Sequence, residues 1–354
     1  MHIDAQPRIV TPHEVTTEAE LSSRAEGALM EQRWQDAVDA YSTLLAAFPT
    51  GPHAAEWTFD LGLAQEGLHD RAKARDTFLD VAQRFPDDPK ALEALVRVAS
   101  LDAYLEEWDA LAKLGDTLLA RPDIGDIDRL VALGARGLAR VELGDDLHAS
   151  TDILDGLDLA DRLHYGERDV LPVAVAQLRF ALGELRRTRS EQIHLVDVPL
   201  PAFVGKLEER CGGLLEAQAA YAQAVRSVDP HWAAMSGTRV GAMYLKLHDE
   251  LMQIPPPATA KTEHRKAVFF AMMHMRYRVL LEKGLKELDQ TIALGQRTGD
   301  TSSFIERAHE VKDHMQAALA DEEAQMAKMP FTEDEVKRAL DVLERKAPEK
   351  KGTH

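Results

Sequence analysis

The closest grouping of metal-type ligands along the chain is Glu306-Arg307-Ala308-His309, with Glu310 and His314 a turn further on. Two carboxylates and two imidazoles at helical spacing could ligate a metal, and such ligands suit several divalent ions. A di-iron bundle would need a matching set on facing helices. The simpler reading is a solvated helix face carrying an i,i+4 Glu–His pair. Met272-Met273-His274-Met275 is rich in soft ligands that could hold copper(I). Adjacent helical residues point about 100° apart, so these four do not converge, and core packing by methionine accounts for them better. The single cysteine, Cys211 in EERCGGLLEAQ, excludes an internal disulfide. It reads as a small apolar residue on a helix, with no activating base in view. The sequence has no His-Glu-x-x-His, no Gly-x-Ser-x-Gly and no glycine-rich phosphate loop. These residues therefore predict no catalytic centre, no metal site and no cofactor.

The elements that would carry any site are helical. Alanine and leucine dominate a 45% hydrophobic composition, and aromatics are only 6%, which suits packed helices rather than sheets. No run of eighteen apolar residues is present, so no segment is expected to span a membrane. The start, MHIDAQPRIV, lacks the basic-then-apolar order of a signal segment, which favours a cytoplasmic location. The formal charge of −18 is uneven. Residues 1–150 hold 28 acidic and 14 basic side chains, against 32 and 28 in the remainder. An acidic first half repels phosphate backbones and excludes nucleic acid as its partner.

Three stretches repeat one pattern at 36 to 37 residues, closing at Pro49, Pro86 and Pro122. Twelve residues before each proline sits an alanine: Ala37, Ala74 and Ala110. Four residues after each alanine sits Tyr41, Phe78 or Leu114. A repeat of this length is the signature of stacked helix pairs. The small residue allows two helices to approach, the residue one turn on fills the gap, and the proline stops the second helix. One such unit cannot bury its apolar face alone, so units stack.

This pattern resembles the tetratricopeptide repeat (TPR) family. The second unit matches best, with Leu61, Gly62, Ala74, Phe78 and Pro86 in the family's slots. The first has Ala25, Ala37, Tyr41 and Pro49. The third has Ala110, Leu114 and Pro122, with Val98 where Gly or Ala is usual. A fourth, about Leu130 to Leu163, has Gly137, Gly144, Ala149 and Ile153, and partial matches recur at Ala217, Tyr221 and Pro230 and at Gly241 and Tyr244. The resemblance implies an all-α fold: a right-handed helical solenoid followed by a bundle of longer helices. It implies a groove lined by the first helix of each unit. The groove slots fall on Glu26, Leu29 and Met30, then Glu56, Phe59, Leu63 and Glu66, then Leu92, Leu95 and Asp102. The chaperone-binding TPR subclass places Lys, Arg and Asn in such slots; none of these positions holds Lys or Arg here, so a basic segment with an apolar anchor is the partner expected. More distantly, the second half is similar to TPR proteins of bacterial envelope and gliding-motility machinery, which would place the chain in the periplasm.

The remaining punctuation divides the chain into a flexible leader at 1–17, repeats at 18–195, a proline-containing joint at 196–206 and a helical region at 207–346 before a disordered tail at 347–354. Helices are expected from about 205 to 227, 232 to 252 and 262 to 298, the last closed by Gly299 after a break at Pro255-Pro256-Pro257. Ser303 with Glu306 and Thr332 with Glu335 fit capping boxes, and Phe331 with Val336 fits a hydrophobic staple. The functional expectation is a non-catalytic scaffold or adaptor binding another protein in a bacterial assembly. The alternative is a metal-dependent enzyme or a ligand-sensing module in the C-terminal bundle.

Overall fold

The computed structural model describes residues 17–328 except 166–169, 196, 197, 199, 228, 259 and 301, together with 332 and 334–336. The expected leader, the tail and the Phe331 half of the staple lie outside the described residues. Within them the fold is all-α and contains no strand, only one isolated bridge between Leu171 and Ser227. Helix contacts divide the chain into two units, one ending at Pro122 and one beginning at Asp123.

The first unit comprises α1 (Glu18–Met30), α2 (Trp34–Ala47), α3 (Ala54–Gly67), α4 (Arg71–Arg84), α5 (Pro89–Tyr104) and α6 (Trp108–Leu119). Helix α1 opens with a full capping box, Thr17 with Glu20. The helices pair as α1/α2, α3/α4 and α5/α6. Each pair turns on one residue with left-handed backbone: Gln32 (φ 55°), His69 (φ 61°) and Glu106 (φ 60°). These recur every 37 residues, and so do the ends of the first helices, Met30, Gly67 and Tyr104.

That period corrects the register expected for the third pair. Counting back from Pro122 put Ala110 and Leu114 in the interface, but both are only half-buried. The residues at the 37-residue repeat of Ala37, Tyr41 and Leu44 are Leu111, Gly115 and Leu118, and all three are buried. The third pair swaps large and small: Leu111 takes the alanine place and Gly115 the aromatic one. The small residue opposite is then Ala99, fully buried, rather than Val98. The proline sits one residue early, and an anchor outside the helix misreports the phase within it.

Small-against-large packing fixes each interface. A Cβ on Gly62 would come within 2.6 Å of the Phe78 ring, so only glycine lets α3 approach α4 this closely. Phe78 stacks against Phe59 at 5.1 Å in a cluster with Ala74, Val81, Ala94, Val98 and Leu101. Burying one such ring stabilises by about 1.5–3 kcal/mol.

The second unit comprises α7 (Asp126–Glu142), α8 (Asp146–Arg162), α9 (Val173–Glu191), α10 (Leu200–Ala224), α11 (Pro230–Met252), α12 (Glu263–Thr298) and α13 (Ser303–Lys328). The α7/α8 pair continues the pattern, turning at Gly144 (φ 81°), with Gly137 against Ile153. Helices α9 and α10 form another pair, in which Gly183 meets the ring of Tyr221. The α11/α12 pair follows, with Gly241 against Leu288.

The expected joint at 196–206 is shorter than read. Helix α10 already begins at Leu200, because Pro201 occupies its first turn, where a missing N–H costs nothing. Helices α9 and α10 pack along each other, so this segment links a helix pair rather than two bodies. Helix α12 spans the stretch expected and closes on Gly299 (φ 68°). The Thr332–Glu335 capping box is present, with Thr332 N donating to Glu335 Oε2 at 2.8 Å and Glu335 N to Thr332 Oγ1 at 3.4 Å. The Ser303–Glu306 box is not. Helix α13 starts one residue earlier than that box requires, the Glu306 N–H bonds the Ser302 carbonyl, and the Ser303 hydroxyl accepts from Arg307.

Candidate functional site

Helices α1, α3 and α5 hold the ten residues expected to line a groove, and the structure sorts them by exposure. Glu26, Met30 and Glu56 are exposed, Met30 to 85%. Leu29, Leu63, Glu66, Leu92 and Leu95 are half-buried. Phe59 and Asp102 are buried, at 1% each, and offer no surface to a partner. This corrects two of the expected site residues. Phe59 belongs to the core with Phe78, its ring covered by the Lys90 ammonium at 4.3 Å. Asp102 accepts from Arg75 Nε at 2.8 Å; burial pushes its carboxyl up, and Arg75 pulls back the other way. The third-pair positions inherit the one-residue slip. The 37-residue equivalents of Glu56, Phe59 and Leu63 are Glu93, Val96 and Ser100, of which Glu93 is exposed.

Asp60, which the sequence reading missed, is half-buried on α3 and feels the charges of Glu56 and Glu26. It accepts from the Tyr41 hydroxyl at 3.0 Å. Burial raises its carboxyl above the usual range, and the charges of Glu56 and Glu26 raise it further, while Tyr41 and Lys90 oppose them. The same carboxylates help burial push the Tyr41 hydroxyl far up. Glu26, Glu56 and Asp60 thus share one electrostatic neighbourhood on α1 and α3. Further along, Glu66 is met by Arg97 at 3.1 Å. The signal for Asp60 was available: it stands four residues after Glu56 on α3, one turn away on the same side.

The metal-type motifs stay apart. Glu306, His309, Glu310 and His314 are all exposed on α13. Two further Glu-x-x-His sequences end helices elsewhere, Glu66–His69 and Glu191–His194. Their carboxylates serve ion pairs, Glu66 with Arg97 and Glu191 with Arg187 at 3.0 Å and Lys246 at 2.6 Å. Among the described residues no group of three or more His, Cys, Asp or Glu is arranged to hold a metal ion. Cys211 is half-buried, and burial raises its thiol. No described helix is long and apolar enough to cross a membrane.

The second unit also buries charge. Glu184 on α9 is fully buried and accepts from Tyr221 at 2.5 Å and Arg187 at 2.6 Å. Arg239 on α11 reaches Glu184 at 3.1 Å and Glu142 at 3.4 Å. Burial and the neighbouring Glu184 raise Glu142 to about 7, while Arg239 and Arg187 overcome burial to hold Glu184 at about 2. The pair therefore carries one proton across the range between those values. No sequence pattern marked it.

No protein-family model matches this sequence, and no curated protein does either. Solved structures do. A tetratricopeptide repeat protein from Parabacteroides merdae is 14% identical, with 83% of this chain and 98% of that one covered at a TM-score of 0.44. A TPR-repeat protein from Bacteroides fragilis is 10% identical, with 86% and 100% covered at 0.28. The TPR2AB domain of yeast Sti1, solved in its pHSP90 complex, is 12% identical, with 84% and 98% covered at 0.28. All three are TPR-repeat proteins, and the repeat in this chain stands on its own helix boundaries, buried small residues and left-handed turns.

Proposed function

We propose that this protein is a non-catalytic interaction scaffold whose first unit receives a basic segment of another protein. The observation that carries this is the clustering of Glu26 and Glu56 around the half-buried Asp60, close enough to raise its carboxyl. Mutually repelling carboxylates held on two packed helices form a preset negative surface, and an arriving Lys or Arg relieves the repulsion. Half-buried Leu29 and Leu63 and exposed Met30 lie on the same helices and supply apolar area beside the charge. Lys or Arg with an apolar neighbour is the partner chemistry this favours.

Photo-crosslinking tests the reading. A crosslinker placed at Leu63 should capture a protein through a segment carrying basic residues. Capture should weaken as salt rises towards physiological strength, because exposed charges are screened within about 8–10 Å. Reversing Glu26 and Glu56 to Lys should slow association and abolish most capture. Equal capture by the reversed variant, unaffected by salt, would move the partner off this surface.

A further inference from the structure

A second buried polar cluster lies in the last three helices and takes no part in the reading above. His248 on α11 is 3% exposed, and its Nε2 lies 2.7 Å from Glu322 Oε1 on α13. His274 Nδ1 on α12 lies 3.1 Å from the same oxygen. One carboxylate oxygen thus ties three helices together through two imidazoles. The other, Glu322 Oε2, is buried and has no hydrogen-bond partner among the described residues. A carboxylate so placed is tolerated only while its partners hold charge near it. Both imidazoles address one oxygen, which makes a hydrogen-bonded clasp rather than an empty metal cage. Beside it a cavity of about 410 Å³, lined by His274, Met275, Arg278, Glu322, Glu323 and Met326, leads towards solvent.

We propose that His248, Glu322 and His274 form a proton-operated latch that fixes the C-terminal half of α13 onto α11 and α12. A protonated His248 donates from both nitrogens, to Glu322 and to Asp249 Oδ1 at 3.4 Å; a neutral one has a single N–H. Losing that proton removes a donor and leaves Glu322 with less compensating charge. Several charged groups on the packed helices are already paired. Arg278 of α12 is paired with Glu282 and Glu323, Arg210 of α10 with Glu250, and Glu191 of α9 with Arg187 and Lys246.

The direction follows from the two groups. Burial lowers His248, but the hydrogen bond and charge of Glu322 outweigh it and the imidazole ends up raised. Its contribution is complete below about 6.5 and is lost as pH rises through the folded value. Burial raises Glu322, but the two imidazoles bring it down to about 2, so its contribution is complete above the ordinary carboxylate value and lost only towards pH 2. The latch is tight in mild acid and slackens as pH rises through the folded value of His248.

Hydrogen exchange on the full chain, corrected for intrinsic rates, reads this locally. Between about pH 5.5 and 8.5, protection of residues 316–328 should fall roughly tenfold per pH unit of His248 shift. In His248→Gln, which keeps one N–H donor without titrating, the fall should vanish. An unchanged fall in that variant, or no fall in the parent, overturns the latch. Glu142→Gln is the control for the other titrating site of this unit: the α13 response should survive it, and losing the response there would overturn the proposal. If His248→Gln does not fold, an NMR titration of the parent decides. An imidazole of His248 titrating at or below free histidine would refute the latch, and one titrating above it supports it.

Discussion

The two units of this chain share small-against-large apolar packing and differ in the charge they bury. In the first, the helix interfaces are apolar: Tyr41, Leu44 and Trp57 in one cluster, Phe59, Phe78 and Leu101 in the next. Its buried carboxylate, Asp102, pairs with Arg75. In the second, fully buried Glu184 binds Arg187, Arg239 and Tyr221, Asp152 takes both Arg136 and Arg140, and Glu322 joins two histidines. Apolar repeats are tolerant of substitution and interchangeable, so they make a uniform stack. A buried ionic network accepts one arrangement only, because a misplaced partner strands a charge. Glu26 and Glu56 of the first unit are exposed, whereas Glu184, Asp152 and Glu322 of the second are buried in ion pairs.

The contrast is sharpest at Glu184. Glu184→Ala would take the shared counter-charge from the part-buried Arg187 and Arg239, which keep Glu191 and Glu142, a loss of about 2–4 kcal/mol. Urea unfolding with exchange readout in α9 and α11 measures it, and a loss below about 1 kcal/mol would mean the network contributes little.

Phe78→Ala should cost about 3–4 kcal/mol in the first unit, from lost burial and the cavity opposite Gly62. Its loss should not change between pH 5 and 8, because none of its close partners titrates there. A pH-dependent loss would blur the distinction between the units.

Stability against pH separates them further. Glu142 has its folded value raised to about 7, so it favours the native state when protonated. That contribution is present below the ordinary value of 4.5 and is lost as pH climbs to about 7. Glu142→Gln should therefore stabilise the second unit at pH 8 by about 1–3 kcal/mol and make little difference near pH 4.5. Thermal melts of both proteins at the two values check this; a gain at acid pH instead would reverse the assignment.

The smallest effect lies in the turns. His69 adopts left-handed backbone where the equivalent turn of the second unit has Gly144. His69→Gly should stabilise by about 0.5–1 kcal/mol, and Gly144→Ala should destabilise by a similar amount. Chemical denaturation resolves both, and a loss in the first variant would show that the His69 side chain matters more than its backbone.

The sequence by itself determined the all-α class, the period of the helix pairs, the break after α11 and the cap at Gly299. These are local facts: a small residue and its large partner lie sixteen positions apart in Ala25/Tyr41, Gly62/Phe78 and Gly137/Ile153, and a cap concerns one turn. The phase of the third pair escaped because the large residue moved to Leu111 and the small one to Gly115, which erases the pattern. Tertiary structure alone decided that Phe59 and Asp102 face inward, that Asp60 is half-buried against the Tyr41 hydroxyl, and that Glu142 meets Arg239 ninety-seven residues on and His248 meets Glu322 seventy-four residues on. A charge carries no mark of its partner along the chain. Its role is set by burial and by the opposite charge that arrives from another helix, and both exist only once the helices have packed.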